Sequence, residues 1–506
     1  MNIASQWIHQ IINILVNFFL IGYVLSFVGK EHYGGWASIA SIIGYMTLLD
    51  AGMSFGLQHY VAHLSARAQK ESLSSIFSAA CAIYGVAALF ALVICLIISN
   101  SYAHLFPKIP AEAATECAAA LKWIALAMVF YMLNLPIQGT LLGLQCHFLR
   151  SAIEILSLLV RTGVVICTFT FIGPSLTHLG AAFLAAAVVR YILSRFALKK
   201  IEPTIRFRCS QITGYSLRQL FAFGGHSTIW TICGVITREA GPILAAVLLS
   251  AAASTYLYIG TKLVESVGTI ITSAAVVFVP VASQLQARQE LARLRSVLVR
   301  SVRLCMLLAF AGTGPLILFG REAIYYWVGF EDNTTYFVVV ILTLGWLGYW
   351  VCSSAQAMLV GMRVLRPITA MMIFRAVASI ALGIVMAHYW GVLGLATGLI
   401  LPRFLATWAV VPYLACKRTD STLKDVLKKA VPGPLFVGIA VAAISWVMRH
   451  TWVPTSLWIL VTECISVMII FGLLAIWKGL DGPSRKLILG RASISRSIAA
   501  NEDSSE

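Results

Sequence analysis

Apolar residues run through this chain in long blocks separated by short polar connections. A helix that crosses a bilayer needs roughly 17–25 mostly apolar residues. On that length the pattern predicts fourteen spans, near residues 8–28, 37–60, 77–98, 121–144, 153–173, 177–198, 219–249, 253–281, 300–319, 336–360, 367–388, 391–414, 431–449 and 456–477. The expected fold class is an all-α polytopic membrane protein with about 14 transmembrane helices. The seventh span carries Arg238-Glu239 and Gly241-Pro242, which predict a kinked helix. Proline and glycine are tolerated there where neighbours re-satisfy the freed backbone groups. The first apolar run is longer than a signal-peptide core and lacks a clear small-residue cleavage site, so it reads as the first span.

Composition agrees with this pattern. Of 506 residues, 59% are hydrophobic and 11% charged, against roughly 25% charged in soluble domains. Too little polar surface remains to cover a water-soluble fold. The eleven cysteines, among them Cys81, Cys95, Cys167 and Cys352, show no spacing for a disulfide framework or a metal site, and read as small apolar residues.

The net charge of +17 then depends on where the cations sit. Even-numbered connections hold Arg67, Lys70, Arg150, Lys199, Lys200, Arg206, Arg208, Arg218, Arg288, Arg293, Arg295, Arg300, Arg303, Arg363 and Arg366. They also hold Lys417, Arg418, Lys424, Lys428 and Lys429, and the tail adds Lys478, Arg485, Lys486, Arg491 and Arg496. The opposite connections hold Lys30, Lys108, Arg238, Arg321 and Arg449. This is the positive-inside asymmetry, and it puts both termini in the cytoplasm. It accounts for most of the charge with no nucleic acid as partner.

The chain also reads as duplicated. Leu64-Ser65-Ala66-Arg67 answers to Leu285-Gln286-Ala287-Arg288, and Gly143 with Leu149-Arg150 to Gly361 with Leu365-Arg366. Leu179-Gly180-Ala181-Ala182 answers to Leu393-Gly394-Leu395-Ala396. The offsets stay between about 214 and 221 residues. Six spans return the chain to the same side, so the expected halves are two parallel six-helix repeats about an axis along the membrane normal. The expected organisation is an N-terminal lobe (1–200), a basic linker (201–218) and a C-terminal lobe (219–416). Two extra C-terminal helices (417–480) and a polar cytoplasmic tail (481–506) follow.

Several of these residues also match a family. The run Tyr33-Gly34-Gly35-Trp36, Leu48-Leu49-Asp50-Ala51-Gly52, Tyr60-Val61-Ala62 resembles the amino-terminal signature of Wzx-type polysaccharide flippases. These belong to the multidrug/oligosaccharidyl-lipid/polysaccharide exporter superfamily. Tyr258-Ile259, Lys262-Leu263, Pro280 and the basic stretch from Leu285 to Arg303 look like the matching repeat. The resemblance covers nearly the whole chain before the tail. It implies twelve core helices in two lobes, often with two more, and no cofactor. It implies translocation of an undecaprenyl-pyrophosphate-linked oligosaccharide across a bacterial inner membrane. Membrane lipids, a polysaccharide polymerase and chain-length proteins are the expected partners.

Charges inside the spans are the candidate chemistry, because a charge at that depth is costly and usually functional. Asp50 stands in the second span with no basic residue three or four positions away. It reads either as a local cap that helps Ala51-Gly52 pack or as an ion-coupling carboxylate. Arg190 and Arg403 fall at nearly the same place in the two repeats, and Arg161 and Arg375 form a looser pair. An arginine fork suits a pyrophosphate in a central cavity; the alternative is that these side chains snorkel to headgroups. Lys262 and Glu265 are spaced for an ion pair, which either neutralises itself or faces the cavity and opens to substrate or a proton. Arg238 and Glu239, being adjacent, are expected to point apart. Glu154 is expected at the cytoplasmic edge in water, and Glu463 in a hydrogen bond or a lipid groove. Trp7, Trp36, Trp390, Trp452 and Trp458 fall near span ends, where aromatic belts form.

No phosphate-cradling GxxxxGK loop occurs, so the chain itself is not read as hydrolysing ATP. Two other functions stay open: a multidrug-type exporter, whose cavity for a cationic drug would be acidic, and a membrane polysaccharide polymerase or ligase. The latter needs a large outward loop, and the longest, about Ser99 to Ala120, shows no catalytic constellation. The charge asymmetry makes one direct prediction. A fluorescent protein fused after Lys478 should fluoresce, and alkaline phosphatase inserted between Ser99 and Ala120 should be active; the reverse result inverts the topology.

Overall fold

A computed structural model describes residues 2–50, 52–67, 69–222, 225–330, 333–451 and 456–480. Trp452 and the tail 481–506 lie outside the described residues, as do the side chains of Trp7, Lys70 and Arg449. The described residues fold into helices, with no strand among them. Among the described residues eleven helices are long and apolar enough to cross a membrane, or twelve if Leu423–Ala430 and Pro432–Met448, bent by 44°, count as one span. Two of the eleven, Ile8–Asp50 and Leu365–Arg418, run to 43 and 54 residues. At about 1.5 Å per residue each is long enough for two crossings. Each is interrupted by a glycine in the left-handed region, Gly29 (φ 73°) and Gly391 (φ 58°). The predicted spans lie largely on these helices, with two exceptions: 37–60 runs past Asp50 into the following helix, and 219–249 begins before Thr228.

Contacts gather into two units, Met1–Ile259 with Met372–Leu395, and Gly260–Met371 with Ala396–Glu506. The first contains α1 (Asn2–Met46), a 3₁₀ turn (Thr47–Asp50), α2 (Met53–Ala66), α3 (Lys70–Asn100), α4 (Tyr102–Leu105), α5 (Ala111–Gly143), α6 (His147–Phe171), α7 (Leu176–Ile201), α8 (Gly214–Ala222) and α9 (Gly225–Leu248). The chain continues through α10 (Ala251–Val276), α11 (Phe278–Ala287), α12 (Leu291–Leu318), α13 (Gly320–Val328), α14 (Thr334–Gly361) and α15 (Leu365–Arg418). It ends with α16 (Leu423–Ala430), α17 (Pro432–Thr451) and α18 (Leu457–Leu474). The division between units falls inside α10 and twice inside α15. Helix α9 stays helical across Arg238-Glu239 and Gly241-Pro242. The carbonyl of Pro242 accepts a bond from Ser254 Oγ at 2.9 Å.

The glycine motif of the first unit is a packing device. A Cβ on Gly34 would sit 1.9 Å from the Ala251 carbonyl oxygen, and one on Gly35 2.6 Å from Cys117 Sγ. Small residues allow this close helix approach in membranes. The Gly35 carbonyl accepts from Ser38 Oγ (2.8 Å) and from the Tyr102 hydroxyl (3.1 Å). Burial of Tyr102, in the short helix between α3 and α5, pushes its hydroxyl well above the ordinary tyrosine range. Tyr33 is buried against Tyr258, ring centroids 6.0 Å apart. Trp36 is a correction: it is buried against the Phe183 ring rather than placed in an interfacial belt. Its neighbours Gly34 and Gly35 draw that turn of α1 inward. Trp390 and Trp458 are exposed.

The duplication is written in the backbone. Gln69 N bonds Leu64 O at 3.1 Å, and Glu290 N bonds Leu285 O at 3.0 Å. After α5, Cys146 N bonds Leu141 O at 2.9 Å with Gln145 at φ 60°; after α14, Val364 N bonds Leu359 O at 3.0 Å with Arg363 at φ 58°. Non-glycine residues seldom adopt such φ values, so their recurrence at one offset is a shared turn. Gly143 packs on Val61 and the Gln58 carbonyl, and Gly361 on the Val279 carbonyl and Ala282. Each unit therefore repeats the same glycine contact between matching helices.

This contact makes a prediction about stability. A Cβ at Gly361 would lie 2.3 Å from the Val279 carbonyl oxygen, so Gly361→Ala should cost about 1–3 kcal/mol by overpacking. Gly85, with nothing within 4 Å of its added Cβ, is the control. Gly85→Ala should leave the midpoint of thermal unfolding in detergent unchanged or slightly higher.

Candidate functional site

The first unit holds a cavity of about 210 Å³ with both polar and apolar walls. Arg161 and Arg190 both line it, with Glu154, Ser157, Tyr131 and Phe183 among their neighbours. Each charge is held by side chains from other helices. Arg161 Nη2 donates to Asn17 Oδ1 at 2.6 Å, and its guanidinium lies 5.0 Å from the centroid of the Phe183 ring. Asn17 is itself oriented by α1, donating to the Asn13 carbonyl at 2.8 Å. Arg190 Nε donates to Ser157 Oγ at 3.2 Å. A planar guanidinium fixed this way keeps further N–H donors for an anion.

Glu154 is the acidic wall of the cavity, which corrects its expected place in water at a membrane edge. Its carboxylate meets Arg150 at 2.9 Å and His9 at 3.3 Å, and only 13% of its side chain is exposed. Arg150 and Glu154 stand one turn apart on α6, so their pairing is local. Arg150 Nε also donates to Gln138 Oε1 at 3.1 Å, and Gln138 Nε2 to Ser194 Oγ at 2.9 Å. This network ties α1, α5, α6 and α7 together around the cavity. With Glu154 answered by Arg150, the two remaining arginines give the cavity a cationic balance.

Asp50 sits at the break after α1, in the same 3₁₀ turn as Thr47, which lines the cavity. Gly52, at φ 75°, makes the turn into α2 possible. The Asp50 carboxylate then accepts from Ser54 Oγ (2.7 Å), Ser54 N (3.2 Å) and the Tyr84 hydroxyl of α3. It caps the start of α2 and fastens it to α3.

Arg238 and Glu239 are a further correction. Arg238 Nε donates to Glu239 Oε1 at 2.7 Å; the long arginine stem curls back along α9 and overcomes the angular separation of adjacent positions. Glu239 is buried, and its carboxylate fits because Gly44 carries no Cβ, which would otherwise lie 2.4 Å away. Arg375 also belongs to the first unit and is 2% exposed.

The second unit holds the other candidates. Arg403 stacks on Trp346, 3.5 Å from the ring centroid, and lies 5.0 Å from that of Tyr349. Gly345 and Gly348 bring α14 onto α15 closely enough for this, since added Cβ atoms would meet Ile400 and Trp408 at 2.0 and 2.2 Å. Lys262 and Glu265 form an ion pair at 3.1 Å on α10. Thus Arg161 and Arg190 share one cavity, while Arg403, from the matching repeat position, stands in an aromatic setting. Glu463 is buried in α18. All eleven cysteines are free thiols.

This helical membrane fold is one seen in solved transporters. The structure is similar to that of a lipid II flippase MurJ in an inward closed conformation, with 13% identity, a TM-score of 0.70 and coverage of 94% of this chain and 98% of that one. It is also similar to an inward-facing multidrug resistance MATE family transporter of the MOP superfamily, with 14% identity, a TM-score of 0.66 and coverage of 82% and 96%. Residues 1–286 match the family model described as polysaccharide biosynthesis protein, and the chain belongs to that family. Among curated proteins, the uncharacterized membrane protein EpsK of Bacillus subtilis (strain 168) is 19% identical over 306 residues, 60% of each chain. The chain thus matches less than two thirds of that relative's length.

The bonds to Asp50 yield a prediction. Tyr84→Phe removes one donor and should lower stability by roughly 1–3 kcal/mol, read as thermal unfolding in detergent. Combined with Asp50→Ala it should cost less than the sum of the two single changes. Strict additivity would dissolve the coupling between α2 and α3.

Proposed function

We propose that the chain is a flippase that carries undecaprenyl-pyrophosphate-linked oligosaccharide units across the bacterial inner membrane by alternating access. The cationic cavity of the first unit, in a member of a polysaccharide biosynthesis family, is the observation that carries this reading. Arg161 and Arg190 receive the pyrophosphate there; Arg375, Lys262 and Arg403 are further candidate phosphate-binding residues, each within its own unit. Their donors match phosphate oxygens in charge and geometry. The polyprenyl tail stays in lipid. Asp50 and Glu265 are the carboxylates through which a coupling ion acts, each already holding hydrogen-bond donors. Both termini lie in the cytoplasm, as the positive-inside asymmetry supports. The polymerase and chain-length proteins act on the delivered units outside this chain.

The fold likeness to a multidrug transporter keeps a second reading on the table. A cavity that takes a cationic drug is better served by net acidic walls, and here two arginines face one glutamate that is already paired. The balance of charge favours an anionic substrate.

Two measurements test the proposal. Deletion of the gene should leave lipid-linked oligosaccharide accumulated on the inner leaflet; no accumulation removes the flippase reading. At matched expression, Arg161→Ala and Arg190→Ala should each lower export roughly tenfold, as expected for losing a hydrogen bond to a charged group. Lys199→Ala and Lys200→Ala, at exposed positions on the last turn of α7, should export normally.

A further inference from the structure

The second unit holds a cavity of about 480 Å³ unlike the first in its makeup. That volume falls within the roughly 300–1,000 Å³ of small-ligand clefts. Its walls are the first turns of α12 and the amphipathic helix α16, and they carry Arg295, Arg300, Arg303, Lys428 and Lys429 against one carboxylate, Asp425. The acid is partly spoken for. Thr422 Oγ1 donates to Asp425 Oδ2 at 2.6 Å, and Asp425 N donates back to Thr422 Oγ1, closing the start of α16.

The cations on α12 recur on one stripe, Arg295, Val299, Arg303 with Ala292, Ser296 and Arg300 beside them, at the three- and four-residue spacing of a single helix face. Arg303 fixes the other wall: its Nη2 donates to the Lys429 carbonyl at the end of α16. Arg303 Nε is buried with no acceptor among the described residues. The site is therefore built by two elements with a bond between them, and a donor remains to be satisfied.

We infer that this cavity binds the phosphate headgroup of an anionic phospholipid. The shape of α16 decides between a lipid and a free anion. Val426 and Ala430 turn inward and are buried, whereas Leu423 and Leu427 stand one turn apart and exposed, 48% and 41%. A helix with basic residues on one side and free leucines on another lies along an interface, apolar side in the acyl region. Headgroup phosphate in the cavity and acyl chains along Leu423 and Leu427 satisfy both at once. Basic pockets between transmembrane helices bind anionic headgroups in this manner. The site is separate from the cavity of Arg161 and Arg190, and it stands whichever substrate the chain moves.

The test is native mass spectrometry of the purified full chain in detergent, titrated with phosphatidylglycerol, cardiolipin or phosphatidylcholine. Wild type should retain the two anionic lipids over phosphatidylcholine. Arg295→Gln/Lys428→Gln/Lys429→Gln should weaken that retention at least about tenfold, while Lys199→Gln/Lys200→Gln should keep it. Equal retention by the triple variant overturns the site, and so does equal loss in the lysine pair, which would mean diffuse attraction. Displacement of the lipid by millimolar inorganic phosphate overturns the lipid as ligand. Arg295→Gln alone, at an exposed position, covers the case in which the triple variant does not fold. It should lower anionic-lipid retention severalfold, and unchanged retention counts against the site.

Discussion

Charges inside the bilayer must find their partners within the protein, and this constraint organises the first unit more than any other. Arg161, Glu154 and Glu239 lie on helices apolar enough to cross a membrane, and an unpaired charge at that depth is costly. The solutions are contacts between helices or turns, Asn17 for Arg161, Arg150 and His9 for Glu154, Tyr84 for Asp50, except at Glu239, which pairs with the adjacent Arg238. Hydrophobic packing alone distinguishes poorly between one helix and its neighbour in lipid. Polar contacts do distinguish, so they fix which helices surround the cavity. The close approaches at Gly34, Gly44 and Gly143 are the steric counterpart, since short polar side chains reach across only where backbones come near.

The repeats show how such a scaffold diverges. Turns and glycine contacts recur at constant offsets, because a left-handed residue such as Gln145 or Arg363 and a missing Cβ at Gly143 or Gly361 are conditions on the backbone itself. Side chains facing the interior are freer. Arg190 leans on a serine hydroxyl, while Arg403 lies on an indole ring. One setting leaves the guanidinium in a cavity; the other lends it the face of an aromatic quadrupole. A duplicated fold can thus keep its hinges and give its two halves different chemistry.

Much of this was legible in the chain. Spans are readable because apolar length is a property of consecutive residues, and the doubled turns because their motifs are local. The cavity was partly legible: Arg161 and Arg190 announce themselves as charges in apolar runs. Their partners did not. Asn17, Tyr84 and Ser157 are ordinary polar residues whose meaning comes from residues far along the chain. Glu154 was misplaced for a related reason, since position along a span does not say which way a carboxylate turns. Trp36 looked like an interfacial anchor from its place near a span end, and only the inward pull of Gly34 and Gly35 explains its burial. Arg238-Glu239 shows the limit of helical-wheel geometry, because a long flexible side chain is not bound to the direction of its Cβ.

Asp50 draws these strands together. By the offset that relates Gln58 and Val61 to Val279 and Ala282, its place in the second unit is taken by Ile271, which is 1% exposed. The backbone differs in step with the side chain. The chain breaks at Asp50 and turns through Gly52, whereas α10 runs unbroken past Ile271 to Val276. A broken helix leaves N–H groups at the start of the next one without carbonyl partners, and Asp50 accepts from one of them, the Ser54 N–H. An unbroken helix has no such need, and there an apolar residue suffices. The asymmetry of the carboxylate therefore follows from an asymmetry of the backbone. Any ion that protonates or binds Asp50 competes with Ser54 and Tyr84 for the same oxygen, and so acts on the joint between α2 and α3.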